Sequence, residues 1–275
     1  MTNLRGIAVL LYPLLALPAF PATIYNNDTP NNLIGVSSNP AGGGRIEHET
    51  GDDFILNAST LIAGGTFTGL IPTGATIANV VVEIYRVFPK DSVFPPDGRV
   101  LTRANSPSDN AFDSRDSSLS TLTFTTSVLA GSFAVSNSVV NGINAFPNQT
   151  TSGEGPRTGQ EVRFSVNFAT PFSLPADHYF FVPQVGLSAG STFLWLSADR
   201  PVAAPFTLAQ DLQAWTRDAN LDPDWSRVGT DIVGGTPPPT FNLAFSLNGT
   251  QVPEPASIGF VLCGLGLLGW KRRRA

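Results

Sequence analysis

Glycine and proline punctuate this chain so often that its body has little room for regular helix: 26 glycines and 23 prolines are spread over 275 residues. A glycine costs backbone entropy inside a regular element, and a proline removes an amide donor and holds its neighbour extended. The stretches between them are short and rich in Val, Thr, Ser and the chain's 19 phenylalanines, side chains that suit a pleated, half-buried surface. The expectation is an all-β body, a single antiparallel β-sandwich with turns set by Gly, Pro, Asn and Asp.

The clearest strand covers residues 80–88. One parity supplies Val80, Val82, Ile84, Arg86 and Phe88, the other Val81, Glu83, Tyr85 and Val87. The first is expected to face the core, with Arg86 near a strand end or in an ion pair. Residues 53–56 open a strand and 61–71 continue it after a turn, with Gly64-Gly65 as a bulge or bend. Further strands are expected over residues 119–128, 161–168, 179–185, 192–196 and 241–247. Residues 89–118, 141–159 and 199–238 lack periodicity and read as long loops, with a short helix over 206–215.

Both ends differ from this body. Arg5 precedes an apolar run, residues 6–17, and then Pro18-Ala19-Phe20-Pro21-Ala22, so residues 1–22 read as a signal peptide cut after Ala19 or Ala22. At the other end Val252-Pro253-Glu254-Pro255 precedes an apolar segment, residues 258–270, and then Lys271, Arg272, Arg273 and Arg274. The apolar segment suits a membrane helix, and the four cations hold its end on the cytoplasmic side. Residues 251–255 read as the linker, with the prolines keeping the peptide before the helix extended and accessible.

Taken in order at the terminus, motif, apolar segment and basic end resemble the PEP-CTERM sorting signal of Gram-negative bacteria, whose carriers are processed by a membrane enzyme, exosortase. The resemblance covers residues 251–275 and implies that Glu254, flanked by Pro253 and Pro255, is the recognition site. It implies an exosortase-type partner, a membrane-anchored precursor, and a mature protein at the cell surface or in the extracellular matrix, associated with exopolysaccharide or biofilm. The body, residues 23–250, also resembles jelly-roll-type β domains of bacterial surface proteins through its Asp-Asp-Phe at 52–54 and its Phe- and Leu-rich closing strand.

Composition narrows the chemistry. With Arg5, Glu254 and Lys271 to Arg274 assigned to the ends, 11 of the 16 cations remain to face 20 of the 21 carboxylates. An acidic body without a basic stripe argues against nucleic acid, whose phosphates require Lys and Arg. The single cysteine, Cys263, lies in the apolar tail, so packing rather than disulfides must hold the body. His48 and His178 are the only imidazoles. His-Glu-x-x-His and the phosphate-cradling loop are both missing from the sequence.

Four oxygen-bearing residues, Asp218, Asn220, Asp222 and Asp224, alternate in a way that suits a Ca²⁺ loop, although Pro223 and Gly229 depart from the EF-hand pattern. The same spacing also suits a turn held by side-chain to backbone bonds. Asp109, Asp113 and Asp116 read as solvation of a long loop. Trp215 and Trp225 read first as core residues, and because they lie in loop-rich sequence they are also the candidate faces for a sugar ring. Glu83, Glu154 and Glu161 are available as a glycosidase pair, but spacing in sequence cannot place two of them across a groove. The expectation is a non-enzymatic structural or adhesive protein, without a cofactor unless Ca²⁺ is bound. A carbohydrate-binding module and an envelope hydrolase stand as the alternatives.

Overall fold

A computed structural model describes residues 21–42, 44–87, 105–141, 150–188, 191–199, 213–218 and 225–252. Along them run β1 (Ala22–Asn27), β2 (Pro30–Ser37), β3 (His48–Leu56), β4 (Thr60–Ile71), β5 (Ile77–Arg86), β6 (Asp113–Asp116), β7 (Leu122–Val135) and β8 (Asn137–Val139). There follow β9 (Arg157–Leu174), β10 (Asp177–Leu187), β11 (Leu194–Ala198), β12 (Trp215–Asp218), β13 (Ser226–Arg227), β14 (Asn242–Leu243) and β15 (Phe245–Gln251). A single π-helical turn, Val228–Val233, is the one helix among the described residues.

The strands form two sheets whose described pairs are antiparallel apart from β2 with β8. β4 is the hub of the larger, nine-stranded sheet. Along one edge it pairs with β9, and β9 pairs onward with β7. Its other edge is divided between β15, over Thr60 to Phe67, and β11, at Gly69 and Leu70. β15 leads to β1, and β11 leads to β2, β14 and, through β2, β8. Division of one edge brings β11 close to β4: a Cβ on Gly69 would lie 2.1 Å from the Phe193 ring, so this position has no room for a side chain. The six-stranded sheet runs β13-β12-β3-β10-β5-β6.

The two sheets share one aromatic core. Phe67 and Phe164 stack at 4.9 Å, and Phe193 meets both edge-on, all three from the larger sheet or its approach. From the smaller sheet Phe181 stacks on Phe245 at 5.2 Å and lies 6.1 Å from Trp195 and 6.3 Å from Phe67. As the pleat predicts, Val80, Val82 and Ile84 face this core, fully buried. Arg86 ends β5, 3.6 Å from Asp177 and over the Phe112 ring. Phe88 lies outside the described residues. The register shift of β4 against β9 falls between Ile62 and Gly64, at the expected glycine pair.

Several expectations need correction. The long segment 89–118 is not loop throughout: Asp113–Asp116 forms an edge strand on β5, where Arg115 holds Asp113 at 2.6 Å and Asp116 accepts the Ser118 amide. The C-terminal end of the expected helix is extended instead, since Trp215 begins β12, while 206–212 lie outside the described residues. Gln251 and Val252 are not linker. Gln251 pairs with Thr60, and the Val252 amide donates to the Ser59 carbonyl at 2.8 Å. The expected apolar segments at the two ends lie outside the described residues, among which no helix is long and apolar enough to cross a membrane.

Truncating Phe181 removes the ring that touches three aromatic partners across the sheets. Phe181→Ala should lower unfolding free energy by about 3–5 kcal/mol, the usual cost of a buried Phe cavity, read by denaturant titration of the full chain in detergent.

Candidate functional site

Alternation along β3 sends its polar residues to opposite faces of the smaller sheet. On the inner side His48, Thr50 and Asp52 tie it to the larger sheet. His48 Nδ1 lies 2.8 Å from the Ser37 hydroxyl and its Nε2 lies 3.3 Å from Asp218, while Thr50 donates to the Ser37 carbonyl. The buried Asp52 carboxylate accepts the Leu243 amide at 2.8 Å. This Ser-His-Asp contact differs from a hydrolytic triad. Ser37 is fully buried and its hydroxyl also reaches the Val140 carbonyl, so no substrate has access to it in this arrangement. His178 lies 2.6 Å from Asp53 on the other face.

The outer side carries the most unusual chemistry of the body. Glu49 from β3, Glu83 and Tyr85 from β5, and Arg217 from β12 converge over a second small core of Phe180, Val182, Trp215 and Trp225. Arg217 donates through Nε to Glu49, through Nη1 to the Asp109 carbonyl at 3.0 Å and through Nη2 to the Tyr85 hydroxyl at 3.1 Å. Its guanidinium also stacks 4.6 Å from the Trp225 ring. The Trp225 indole donates to the Ser108 carbonyl at 3.2 Å, so the returning end of the long excursion lies across the cluster.

Proton counting explains how two carboxylates share this place. The Tyr85 hydroxyl lies 2.5 Å from Glu49 and 3.0 Å from Glu83 but has one hydrogen. If that hydrogen goes to Glu49, the second contact needs a proton on Glu83. Burial, and then the hydrogen bond to Glu49 and the charge on it, push the Glu83 carboxyl up to about 8. Burial also works to raise Glu49, but its bonds to Arg217 and Tyr85 outweigh it and hold that carboxyl below its ordinary value. Burial, reinforced by the two glutamates, drives the Tyr85 phenol upward, so it remains a neutral donor. A neutral acid beside an ionised one is the pairing used for acid–base hydrolysis. Here, however, both carboxylates meet on one phenol and Arg217 locks one of them, leaving no gap for a glycosidic bond between them.

Glu83 was legible as a carboxylate on the outward parity of the best strand. Glu49 and Arg217 were not: Glu49 lies in a segment with no strand period before residue 53, and Arg217 within residues 199–238, which read as loop. The available signal was Glu83-x-Tyr85, a polar and an aromatic residue on the face opposite three buried aliphatics. Glu154 serves its own loop, accepting the Val140 amide at 2.9 Å, and Glu161 sits in β9 with its carboxyl raised by burial.

Two candidate sets change standing. Trp215 and Trp225, candidates for a sugar contact with core packing as the preferred reading, are 3% and 0% exposed and pack against Arg227 and against Arg217 and Tyr85. Their charged surroundings in sequence, with Arg217, Asp218, Asp222, Asp224 and Arg227 close by, concealed a second core on the outer face of the sheet. Of the candidate calcium ligands only Asp218 is described, and it turns to His48; Asn220, Asp222 and Asp224 lie outside the described residues. Among the described residues no group of three or more His, Cys, Asp or Glu is placed to hold a metal ion.

The sorting end is tied to the body with similar economy. β1 runs antiparallel to β15, with Ala22 opposite Gly249, so the chain enters and leaves the larger sheet at one end on adjacent strands. Val252 is still hydrogen-bonded to the sheet immediately before Pro253, Glu254 and Pro255, which lie with Lys271, Arg272, Arg273 and Arg274 outside the described residues. Residues 251–275 match a family model described as the PEP-CTERM protein-sorting motif. No curated protein and no solved structure matches the chain.

The glutamate pair fixes a pH dependence. Because Glu83 binds its proton more tightly folded than unfolded, stability should fall as pH rises from about 4.5 to about 8, then level off. Glu83→Gln should abolish most of this slope, measured as the change in Tm of the full chain between pH 5 and 8. An equal slope in both proteins would show that the proton is elsewhere.

Proposed function

For a chain that carries a PEP-CTERM sorting motif, and is thus exported and sorted as an exosortase substrate, we propose a non-enzymatic structural or adhesive role at the cell surface or in the extracellular matrix, in association with exopolysaccharide. In this reading residues 1–22 direct export, a jelly-roll-like sandwich over residues 23–250 is the delivered cargo, and residues 251–275 hold the precursor in the membrane until processing. The observation that carries the reading is the sorting motif following a folded body with no intervening linker, where β15 ends at Gln251 and Val252 remains bonded to Ser59.

Its non-enzymatic part is supported by the way the polar groups are used. The carboxylate pair Glu49 and Glu83 is consumed by Tyr85 and Arg217, and Ser37 beside His48 is sealed in the interior. A carbohydrate-binding role through Trp215 and Trp225 loses its support with their burial, so any polysaccharide contact must use other parts of the surface.

Glu254→Ala, or loss of Lys271 to Arg274, should leave a full-length precursor in the membrane fraction of the host, while the wild type yields a shorter mature form by intact mass. The circular dichroism of the body should be unchanged. Normal processing of both variants would sink the sorting assignment.

A further inference from the structure

The edges of the two sheets are treated unequally. β13 has two residues, β8 three and β6 four, and β6 carries Asp113, Arg115 and Asp116. β1 has six residues with a register shift between Thr23 and Tyr25. Short, charged or irregular edges of this kind resist pairing with another chain. β7 has none of the same protection over its first half. It is 14 residues long, without a charge or a proline, and among the described residues it pairs only with β9.

Its first seven residues, Leu122-Thr123-Phe124-Thr125-Thr126-Ser127-Val128, pair with β9 without a break; the irregularities begin after Val128. Alternate residues of an antiparallel edge turn their N–H and C=O groups away from the sheet, ready for another strand. Thr123, Thr125, Thr126, Ser127 and Val128 are exposed, Val128 to 58%. Composition and length together match the class of segment that pairs with its own kind: β-branched and aromatic, uncharged, and free of proline and glycine.

We propose that the Leu122–Val128 edge of β7 is a self-association surface, whose partner is the same edge of a second copy in antiparallel register about Thr125. A two-fold axis there brings all seven residues into one ladder. Thr125 faces Thr125, Phe124 faces Thr126, Thr123 faces Ser127 and Leu122 faces Val128. Each pair joins small polar or apolar side chains that stabilise a sheet from opposite strands, and no like charges meet. The interface is isologous, so it closes as a dimer. A strand of another protein has no feature on this edge to select it, whereas the edge's own sequence satisfies every rung. As an account of what the exported body assembles with, the inference rests on the structural reading above. The experiment reads pairing alone, so sorting and pairing fail separately.

The test uses full-length protein in detergent with Cys263→Ser to remove the native thiol. Thr125→Cys places two thiols opposite one another, within the Cα separation that a disulfide spans. Thr123→Cys, on the same exposed face, would separate its thiols by about four residues, or about 13 Å, beyond disulfide reach. Mild oxidation should give a covalent dimer for Thr125→Cys and little for Thr123→Cys. Sedimentation velocity should show a dimer that Thr125→Lys, which sets two cations face to face, converts to monomer. Equal cross-linking at both positions would mean parallel stacking or random collision, and a monomer with the native Thr125 edge at tens of micromolar would mean that the edge stays single; either result overturns the proposal.

Discussion

Phe181 is where the two sheets become one body. It lies within ring contact of Phe245, Trp195 and Phe67, three residues on three different segments of the larger sheet, while its own strand sits at the centre of the smaller one. With the only cysteine in the tail, nothing covalent joins the layers, so burial of aromatic area must oppose the chain entropy of a fold built from distant pairings. This accounts for the chain's use of phenylalanine. Each ring fills more of the space between sheets than an aliphatic side chain, and stacked or edge-on contacts fix the relative position of strands far apart in sequence.

The smaller sheet is unusual because both of its faces are buried. Its inner face meets the larger sheet, and its outer face holds Trp215 and Trp225 beneath a returning segment near Ser108 and Asp109. Burying Arg217 there requires compensation for the water it loses, and Glu49, Tyr85, the Asp109 carbonyl and the Trp225 ring supply it. A second carboxylate so close can be accommodated by staying protonated, the direction in which burial and Glu49 push Glu83. The cluster therefore joins β3, β5 and β12 and the excursion, giving the edge of the sheet a polar lock where the apolar core is small. Its electrostatics follow from holding the fold together at a place with too little hydrophobic area.

Strand period was legible wherever one parity was consistently apolar, as in β5 and β9, because alternation reports directly which side of a strand faces the core. The missed strands lack that signal for physical reasons. β2 gives only Ile34 and Val36 to the core, a run too short to show a period, and Asn31 and Ser197 add polar contacts beside them. β12 is buried on both faces, so Trp215, Thr216, Arg217 and Asp218 show no alternation at all. For the same reason the tryptophans looked available to a ligand: a sequence shows that an aromatic residue stands among polar neighbours, but not that those neighbours are an arginine and a tyrosine folded onto its faces. The sorting end was legible because it is recognised as a linear order of residues, independent of tertiary contacts.

The sorting end and the body nevertheless constrain one another. β15 is hydrogen-bonded to β4 on one side and β1 on the other, and its last rung reaches Gln251. A separate linker would let an anchored helix and a folded domain move independently. Here the sheet continues to Val252, and the first residue beyond it, Pro253, has no amide hydrogen with which to extend the ladder. The proline that marks the sorting motif therefore follows in sequence directly on Val252, whose amide is bonded to the Ser59 carbonyl. The same pairing places Ala22 beside Gly249, so both chain ends reach the body at one end of the sheet and the long β7 edge lies on the opposite side of β4. That arrangement separates the part of the molecule that carries its destination from the part with backbone left to pair.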